Sequence, residues 1–376
     1  MQTEFIGIGS INKVKRIVQE CNAQKILLVT GNKSFSSCGA ESALSNILKE
    51  KKVVIFNKFD FNPKIEDVVS GVDIVKREHP DLIIAIGGGS VIDMAKSINI
   101  IAAQRKYKAL NIVKDCNLIC NKGAPLIAIP TTSGTGSEAT HFSVIYVDKK
   151  KYSLTHKLIL PDYAIIDFSL TRNVPKFIAA SCAMDALSQS VESYWSVNSN
   201  VESKKYAERS IRIILQSISD AVLNKDIQAL NRMALAANLS GKAINISKTT
   251  APHALSYSIT ALLDISHGHA VALTLGKFFK INFNTNKSKI LDQRGNGYLK
   301  RTMKELFDMF GCDTADCCHD KWYDLMDLLG LNSSLELIGK NSNKIESIID
   351  GVNLDRLNNN PVKLSRQEMV DLFDGG

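Results

Sequence analysis

Residues 82–96 read Leu82-Ile-Ile-Ala-Ile-Gly-Gly-Gly-Ser-Val-Ile-Asp-Met-Ala-Lys96, and this stretch decides the fold of the first half of the chain. Its apolar start predicts a strand buried on both faces, and the residues after Ser90 open a helix. Between them, Gly87, Gly88 and Gly89 let backbone amides approach a pyrophosphate, and the helix N-terminus adds a favourable dipole. Ser90 and Asp93 form a capping-box-like pair. A capped tight turn without a ligand is the alternative, because the spacing is not G-x-G-x-x-G.

The same alternation of strand and helix extends to both sides of this stretch. Short apolar runs predict strands at 25–30, 53–56, 82–86, 126–129 and 164–167. Apolar residues at helical spacing predict helices near 11–21, 41–50, 64–78 and 91–103. We therefore expect residues 1–170 to form an α/β, Rossmann-like domain with a mostly parallel sheet flanked by helices.

A second glycine-rich loop, Pro130-Thr-Thr-Ser-Gly-Thr-Gly-Ser-Glu-Ala-Thr140, also follows a strand. Two flexible, hydroxyl-rich loops at the ends of neighbouring strands would face one crevice, which is the usual ligand position in such sheets. The residues of this loop that we expect to contact a cofactor carry hydroxyl groups, and they are Thr131, Thr132, Ser133, Thr135 and Ser137.

Beyond a linker at 171–175 the strand-like runs stop, and long helical periodicities follow, for example at 201–223 and 226–246. A polar break lies near 284–298. Residues 176–376 are expected to form an all-helical second domain. Lys149, Lys150 and Lys151 lie between two strand-like runs and predict the solvated tip of a hairpin.

Candidate metal ligands occur at two places in the second half. Asp185 and Gln189 are four residues apart, so on a helix they point the same way. On one straight helix His253 and His267 would lie about 21 Å apart, too far to share an ion. The polar break at 263–266, followed by Gly268, could turn the chain back and bring both imidazoles to one cation. Two unrelated histidines are the alternative.

Composition excludes several classes of function. The net charge of +8 is spread along the chain without the basic and aromatic stripe that nucleic-acid binding needs. No apolar run is long enough for a membrane span, and the N-terminus lacks a secretion signal, so we expect a cytoplasmic protein. Eight scattered cysteines fit a reducing compartment better than a disulfide framework, and the spacing of Cys312, Cys317, Cys318 and His319 does not match a zinc site.

The two glycine-rich loops and the spacing of Asp185, Gln189, His253 and His267 resemble those of the metal-dependent, iron-containing alcohol dehydrogenases. The fold of that family is shared with dehydroquinate synthase. The resemblance implies that Asp185, His253 and His267 are metal ligands, with the metal at the cleft between two domains, and that both glycine-rich loops hold a nicotinamide dinucleotide. Gln189 stands where the family usually has His. Because an amide oxygen is harder than imidazole nitrogen, Fe(II) is the expected metal, with Zn(II) or Mn(II) as alternatives. The resemblance also implies a homodimer.

The residues of the turn after the strand at 25–30 indicate whether the protein uses NAD or NADP. Family members restricted to NAD resemble Val-Thr-Asp here, where the Asp holds the ribose 2′-hydroxyl. Gly31 takes that place, and Lys33 and Ser34 follow, so we expect NADP to be tolerated and predict that it is preferred over NAD. A solvated turn is the alternative.

Residues 241–257 and 266–274 are similar to the phosphonoacetaldehyde reductase branch of the family, which also carries Gln at the position of Gln189. The likeness extends to residues 352–361. It implies reduction of a small anionic aldehyde, with Lys248, Thr249 and Thr250 as plausible donors to a phosphonate. Tyr257 either donates a hydrogen bond or proton or only packs, and His269 either relays a proton or supports the core.

Three further hypotheses stay open at this stage. The first is an alcohol dehydrogenase for another small aldehyde or polyol. The second is a lyase resembling dehydroquinate synthase. The third is a non-catalytic nucleotide-binding protein that has lost its metal because of Gln189.

Overall fold

The structure is a computed structural model that describes residues 2–60, 62–148, 150–334, 342–352 and 354–373. The chain divides into two compact units, an N-terminal unit, Met1–Val174, and a C-terminal unit, Pro175–Gly376. Two predicted positions, Lys149 at the hairpin tip and Asn353, lie outside the described residues.

The N-terminal unit is built on a six-stranded sheet in which every pair of neighbouring strands is parallel, as the apolar runs predict. The strand order is β1-β8-β5-β4-β2-β3. A separate antiparallel hairpin is formed by β6 and β7. The strands of the unit are β1 Thr3–Ile6, β2 Lys25–Thr30, β3 Lys52–Phe56, β4 Leu82–Gly87, β5 Leu126–Pro130, β6 Phe142–Val147, β7 Lys150–Thr155 and β8 Tyr163–Ile166.

Helices pack on both faces of this sheet because side chains of alternating strand positions point to opposite faces. In β2, Leu27 and Val29 join one apolar cluster, while Ile26 and Leu28 join the other. This explains why the central strands are apolar throughout rather than alternating. The helices of the unit are α1 Lys13–Glu20, α2 Ser34–Ser37, α3 Ala40–Leu48, α4 Ile65–Glu78, α5 Gly89–Ala102 and α6 Ala109–Lys114.

The C-terminal unit contains no strand among its described residues, which confirms the predicted all-helical region. A five-residue π-helical turn, Asp220–Asn224, extends the second of its helices. The helices are α7 Lys176–Trp195, α8 Val201–Ser219, α9 Ile227–Ser247, α10 Ala251–Leu263, α11 His267–Asn284, α12 Gly295–Phe310, α13 Ala315–Leu329, α14 Ser342–Asp350, α15 Leu354–Leu357 and α16 Arg366–Asp371. None of the described helices is long and apolar enough to cross a membrane.

Three details differ from the sequence-based expectations. The N-terminal strand β1, which pairs with β8, was not predicted, because a four-residue strand carries little periodic pattern. The capping box of Ser90 and Asp93 is wrong: α5 begins one residue before Ser90, and Gly88 is its N-cap without a side-chain cap. Cys312 and Cys317 form a disulfide with Cα atoms 5.6 Å apart. The first turn of α13 returns Cys317 to the turn that holds Cys312, which the linear spacing did not reveal.

Candidate functional site

Asp185, His253 and His267 converge in the C-terminal unit. Each offers a ligand atom, and these atoms all lie within 4.8 Å of one another. The imidazole rings of the two histidines are 5.4 Å apart between centroids. A carboxylate and two imidazoles at this spacing form a donor set that suits a divalent transition metal.

The predicted turn at 263–266 is what brings the two histidines together. The helix α10 ends at Leu263, Asp264 adopts a left-handed conformation with φ of 51°, and α11 begins at His267. Gly268 then allows α11 to lie directly on α7. A Cβ atom at Gly268 would meet the carbonyl oxygen of Ser181 at 2.0 Å and Cβ of Asp185 at 2.8 Å. The convergence of Asp185, His253 and His267 therefore depends on this close contact between α11 and α7.

Gln189 lies one turn after Asp185 on α7 and is buried with it. Its amide nitrogen faces Oδ2 of Asp185 at 3.3 Å, and its amide oxygen accepts a hydrogen bond from the Ser240 hydroxyl at 2.7 Å. A hydroxyl can donate or accept, so Ser240 would equally support the flipped amide. Only the flipped amide would present Oε1 to a cation.

Glu192 is a fully buried carboxylate that the sequence analysis did not assign a role. One oxygen accepts hydrogen bonds from the backbone amides of Thr250 and His253, at 3.0 and 3.2 Å, and from the Thr250 hydroxyl at 2.9 Å. The other oxygen bonds to Nδ1 of His253. Glu192 follows Asp185 by two helical turns on the same face of α7, and that spacing was the available signal.

The pairing with Glu192 fixes the orientation of His253. Burial is the largest single effect and lowers the pKa of His253, but the Glu192 and Asp185 carboxylates together raise it by more, so the pKa lies above its ordinary value. The opposite ring nitrogen, Nε2, lies 3.4 Å from Oδ1 of Asp185 and has no hydrogen-bond partner among the described residues. A histidine held at Nδ1 by a carboxylate, with a buried Nε2 facing a second carboxylate, fits a metal ligand.

Tyr257 and His269 differ in their relation to this cluster. The Tyr257 ring stacks on the His267 ring at 5.9 Å between centroids with an interplanar angle of 24°. Burial raises the pKa of the Tyr257 hydroxyl, and the positive charge of Arg356 opposes that rise. The His269 ring instead bonds through Nε2 to the Asn332 carbonyl oxygen at 2.7 Å, so His269 is not brought into the cluster.

The three expected phosphonate donors do not converge as a group. Lys248 is exposed, with a left-handed φ of 61° at the end of α9. Thr249 is buried, and its carbonyl oxygen accepts a hydrogen bond from Asn359 at 2.8 Å. The Thr250 hydroxyl is engaged with Glu192 and with the Trp195 indole. Thr250 therefore helps to hold Glu192, the carboxylate that orients His253.

The two glycine-rich loops meet at the carboxyl edge of the sheet, as the sequence predicts for neighbouring strands. Gly87 pairs with Pro130, and the Thr131 amide donates to the Gly87 carbonyl at 3.0 Å. A Cβ atom at Gly89 would lie 2.7 Å from two atoms of the Thr135 side chain. The side chains of Thr132, Ser133 and Ser90 are partly exposed at this edge. Backbone amides and hydroxyls here could hold a dinucleotide phosphate.

Lys96 is a buried cation that supports the second glycine-rich loop, a role that the sequence does not indicate. Its side chain is completely buried, and Nζ donates to the Ser137 carbonyl at 2.8 Å and to the Thr140 hydroxyl at 2.9 Å. Burial lowers the pKa of Lys96 to about 8. Asp93, whose pKa burial raises, accepts from the Ser137 hydroxyl at 2.5 Å and from the Val144 amide at 3.0 Å. This pair of charged side chains anchors the second loop to α5.

The turn that follows β2 lies at the same edge, because β2 is the neighbour of β4. Gly31 is half-buried and Lys33 is exposed. A Cβ atom at Gly31 would lie 2.2 Å from the Ser34 hydroxyl oxygen, so this turn is tightly closed. The structure therefore places Gly31, Lys33 and Ser34 beside the two glycine-rich loops.

Comparison with known proteins agrees with this arrangement. Residues 2–168 match the iron-containing alcohol dehydrogenase family, and residues 179–375 match its C-terminal region. A long-chain-alcohol dehydrogenase of Geobacillus thermodenitrificans is 34% identical over 275 residues, covering 72% of this chain and 69% of that protein. A phosphonoacetaldehyde reductase of Streptomyces viridochromogenes is 32% identical over 235 residues, covering 60% and 59%.

Solved structures extend the similarity over almost the whole chain. A sulfoacetaldehyde reductase from Bifidobacterium kashiwanohense, in complex with NAD⁺, matches with a TM-score of 0.87 at 27% identity, covering 99% of this chain and 96% of that one. Both units of the chain are thus matched in sequence and in structure. The chain belongs to the iron-containing alcohol dehydrogenase family and is an oxidoreductase that acts on alcohols or aldehydes.

Proposed function

We propose that this protein reduces a small anionic aldehyde to a primary alcohol with a reduced nicotinamide cofactor, and that phosphonoacetaldehyde is the substrate and 2-hydroxyethylphosphonate the product. The observation that carries the reaction class is the cluster of Asp185, His253 and His267, with Glu192 behind His253. A divalent cation in this cluster would supply Lewis-acid polarisation of the aldehyde carbonyl. The glycine-rich loops would hold the cofactor that supplies the hydride.

The residues of the chain have distinct roles in this proposal. With a cation bound, Asp185 would contribute negative charge and His253 a deprotonated Nε2, and Glu192 keeps that nitrogen directed into the cluster. Gln189 completes the set if its amide flips, which Ser240 permits. Burial keeps the Tyr257 hydroxyl protonated, so it can donate a hydrogen bond to a bound oxygen.

The substrate class is supported by two relatives. One is named for phosphonoacetaldehyde and the other for sulfoacetaldehyde, which are two-carbon aldehydes bearing a tetrahedral oxyanion. A second candidate, an alcohol dehydrogenase for uncharged substrates, is supported by the long-chain-alcohol dehydrogenase relative, whose match covers more of this chain than that of the phosphonoacetaldehyde reductase. The two candidate functions differ in whether the substrate carries a negative charge.

The deciding experiment is anaerobic oxidation of NADPH and NADH by the Fe(II)-loaded protein, with phosphonoacetaldehyde compared with propanal. We expect kcat/KM to favour the phosphonate by more than about a hundredfold, which corresponds to about 2.7 kcal/mol in the transition state. Similar values for both aldehydes would leave a dehydrogenase for uncharged substrates. The ratio of rates with NADPH and NADH tests the expected role of Gly31, Lys33 and Ser34.

A further inference from the structure

Arg356 places a positive charge near Tyr257, whose ring stacks on His267 of the cluster of Asp185, His253 and His267. It lies on α15, which packs against α10, the helix that carries His253 and Tyr257. The Arg356 guanidinium lies near the Tyr257 hydroxyl, on which its positive charge acts. The Tyr257 ring stacks on His267, and His267 faces His253. A single aromatic side chain therefore separates this cation from a candidate metal ligand.

The segment that carries Arg356 is fixed to the segment that carries His253. Asn359, three residues after Arg356, is buried, and its amide nitrogen donates to the carbonyl oxygens of Ser247 and Thr249, each at 2.8 Å. Its amide oxygen accepts from the Ser196 hydroxyl at 2.9 Å. These bonds tie α15 to the junction of α9 and α10. The backbone that carries Arg356 is thus anchored to the segment that carries His253, and such preorganisation favours recognition.

Arg356 suits an oxyanion better than the donors first expected from sequence. Lys248 is exposed, and the Thr250 hydroxyl is occupied by Glu192 and Trp195. Arg356 is half-buried, and a planar guanidinium can bind two oxygens of a phosphonate or sulfonate at once. In a two-carbon aldehyde a single methylene joins the carbonyl carbon to the oxyanion. A group that binds the anion must therefore lie near the atoms that bind the carbonyl, and Arg356 is linked to them through Tyr257, whose ring stacks on His267.

We propose that Arg356 is the specificity-determining residue that binds the phosphonate or sulfonate oxygens of the substrate. In this proposal Tyr257 positions the Arg356 guanidinium beside the cluster of Asp185, His253 and His267. This inference rests on the proposed function, because it assumes an anionic aldehyde at that cluster. It assigns the anion to α15 rather than to Lys248 at the end of α9.

The test compares the Fe(II)-loaded wild type with Arg356→Gln, Arg356→Lys, Lys248→Gln and Arg366→Gln. Arg366 is an exposed arginine paired with Asp350 and serves as the matched control. We expect Arg356→Gln to lower kcat/KM for phosphonoacetaldehyde on the order of 100-fold while changing that for propanal less than about threefold. Arg356→Lys should recover part of the loss, and Arg366→Gln should match the wild type.

Binding of 2-hydroxyethylphosphonate, measured by calorimetry on the same proteins, gives a readout that is independent of turnover. We expect its affinity to fall in Arg356→Gln and to stay near the wild-type value in Lys248→Gln. Equal losses for the two aldehydes, or a larger effect of Lys248→Gln, would overturn the role of Arg356 and leave the proposed function standing. A wild type that does not prefer the phosphonate would overturn the substrate class itself. Arg356→Lys keeps the test decisive if Arg356→Gln does not fold.

Discussion

Glu192 holds Nδ1 of His253, and this contact leaves Nε2 of the same ring facing Asp185. The carboxylate also caps the start of α10 through the amides of Thr250 and His253. A single buried side chain on α7 thus sets both the direction of a helix and the orientation of a candidate ligand on it. Carboxylates behind metal-binding histidines typically raise ligand basicity and fix the tautomer.

Replacing Glu192 by Gln should weaken metal binding by about 10- to 100-fold, because the amide cannot keep the same charge-assisted bond to His253. The measurement is competition between the protein and a chromophoric chelator for Fe(II) and Zn(II). Circular dichroism verifies that the variant is folded. Glu305→Gln is the matched control, since Glu305 accepts from Tyr194 at 2.9 Å and is not part of the cluster. An unchanged affinity in Glu192→Gln would contradict the assigned role.

Gly268 permits a close contact between helices α11 and α7. Gly268→Ala would place a methyl group 2.0 Å from the Ser181 carbonyl oxygen, so α11 must move away from α7. We expect the free energy of unfolding to fall by about 1–3 kcal/mol and metal affinity to fall with it. Urea denaturation and metal titration measure the two effects.

The control for this substitution is Gly297→Ala. A Cβ atom at Gly297, on α12, meets no atom of the described residues within 4 Å, and the backbone of Gly297 is not left-handed. Alanine there should be neutral or stabilise the helix by up to about 1 kcal/mol. A Gly268→Ala variant as stable as Gly297→Ala, with full metal affinity, would show that the helices tolerate the added methyl group.

The features that the sequence predicted correctly are those that a local pattern of residues determines. Apolar runs gave the central strands, glycine-rich loops gave the edge where strands β4 and β5 end, and the break at 263–266 gave the turn between α10 and α11. Each of these features is written in a few consecutive residues. The strand β1 was not predicted, because it is short and is recognised only by its pairing with β8.

The missed residues share a different property: their roles depend on contacts with distant parts of the chain. Lys96 lies in the middle of helix α5, where a lysine is usually exposed, but its side chain reaches Ser137 and Thr140 of another loop. Glu192 contacts residues 58 and 61 positions away, Thr250 and His253. Arg356 lies far along the chain from Tyr257. No local periodicity encodes such pairings, so a single sequence does not reveal them.

Gly89 lies where the two glycine-rich loops touch. Gly89→Ala would place a methyl group 2.7 Å from the Thr135 side chain, so the second loop must shift. We expect the dissociation constant for NADPH, followed by its fluorescence, to rise by about tenfold or more, since a small misplacement of backbone donors is costly. Metal affinity should stay unchanged, because Gly89 belongs to the N-terminal unit. A parallel loss of metal binding would instead indicate general unfolding.

Lys96 gives the protein a measurable pH dependence of stability. Burial lowers its pKa from an ordinary value of 10.5 to about 8. Between these values the unfolded chain binds a proton that the folded protein does not, so the free energy of unfolding should rise as pH increases through this window. A shift of this size corresponds to about 3 kcal/mol.

Lys96→Met should remove this rise, because methionine has no proton to exchange and fills a similar volume. The measurement is urea denaturation of wild type and variant at several values from pH 8 to 10.5. Other groups titrate in the same range in both proteins, so the informative quantity is the difference between the two curves. That difference should grow in favour of the wild type as pH increases, whereas parallel curves would mean that Lys96 keeps its proton and that Asp93 and Glu138 outweigh its burial.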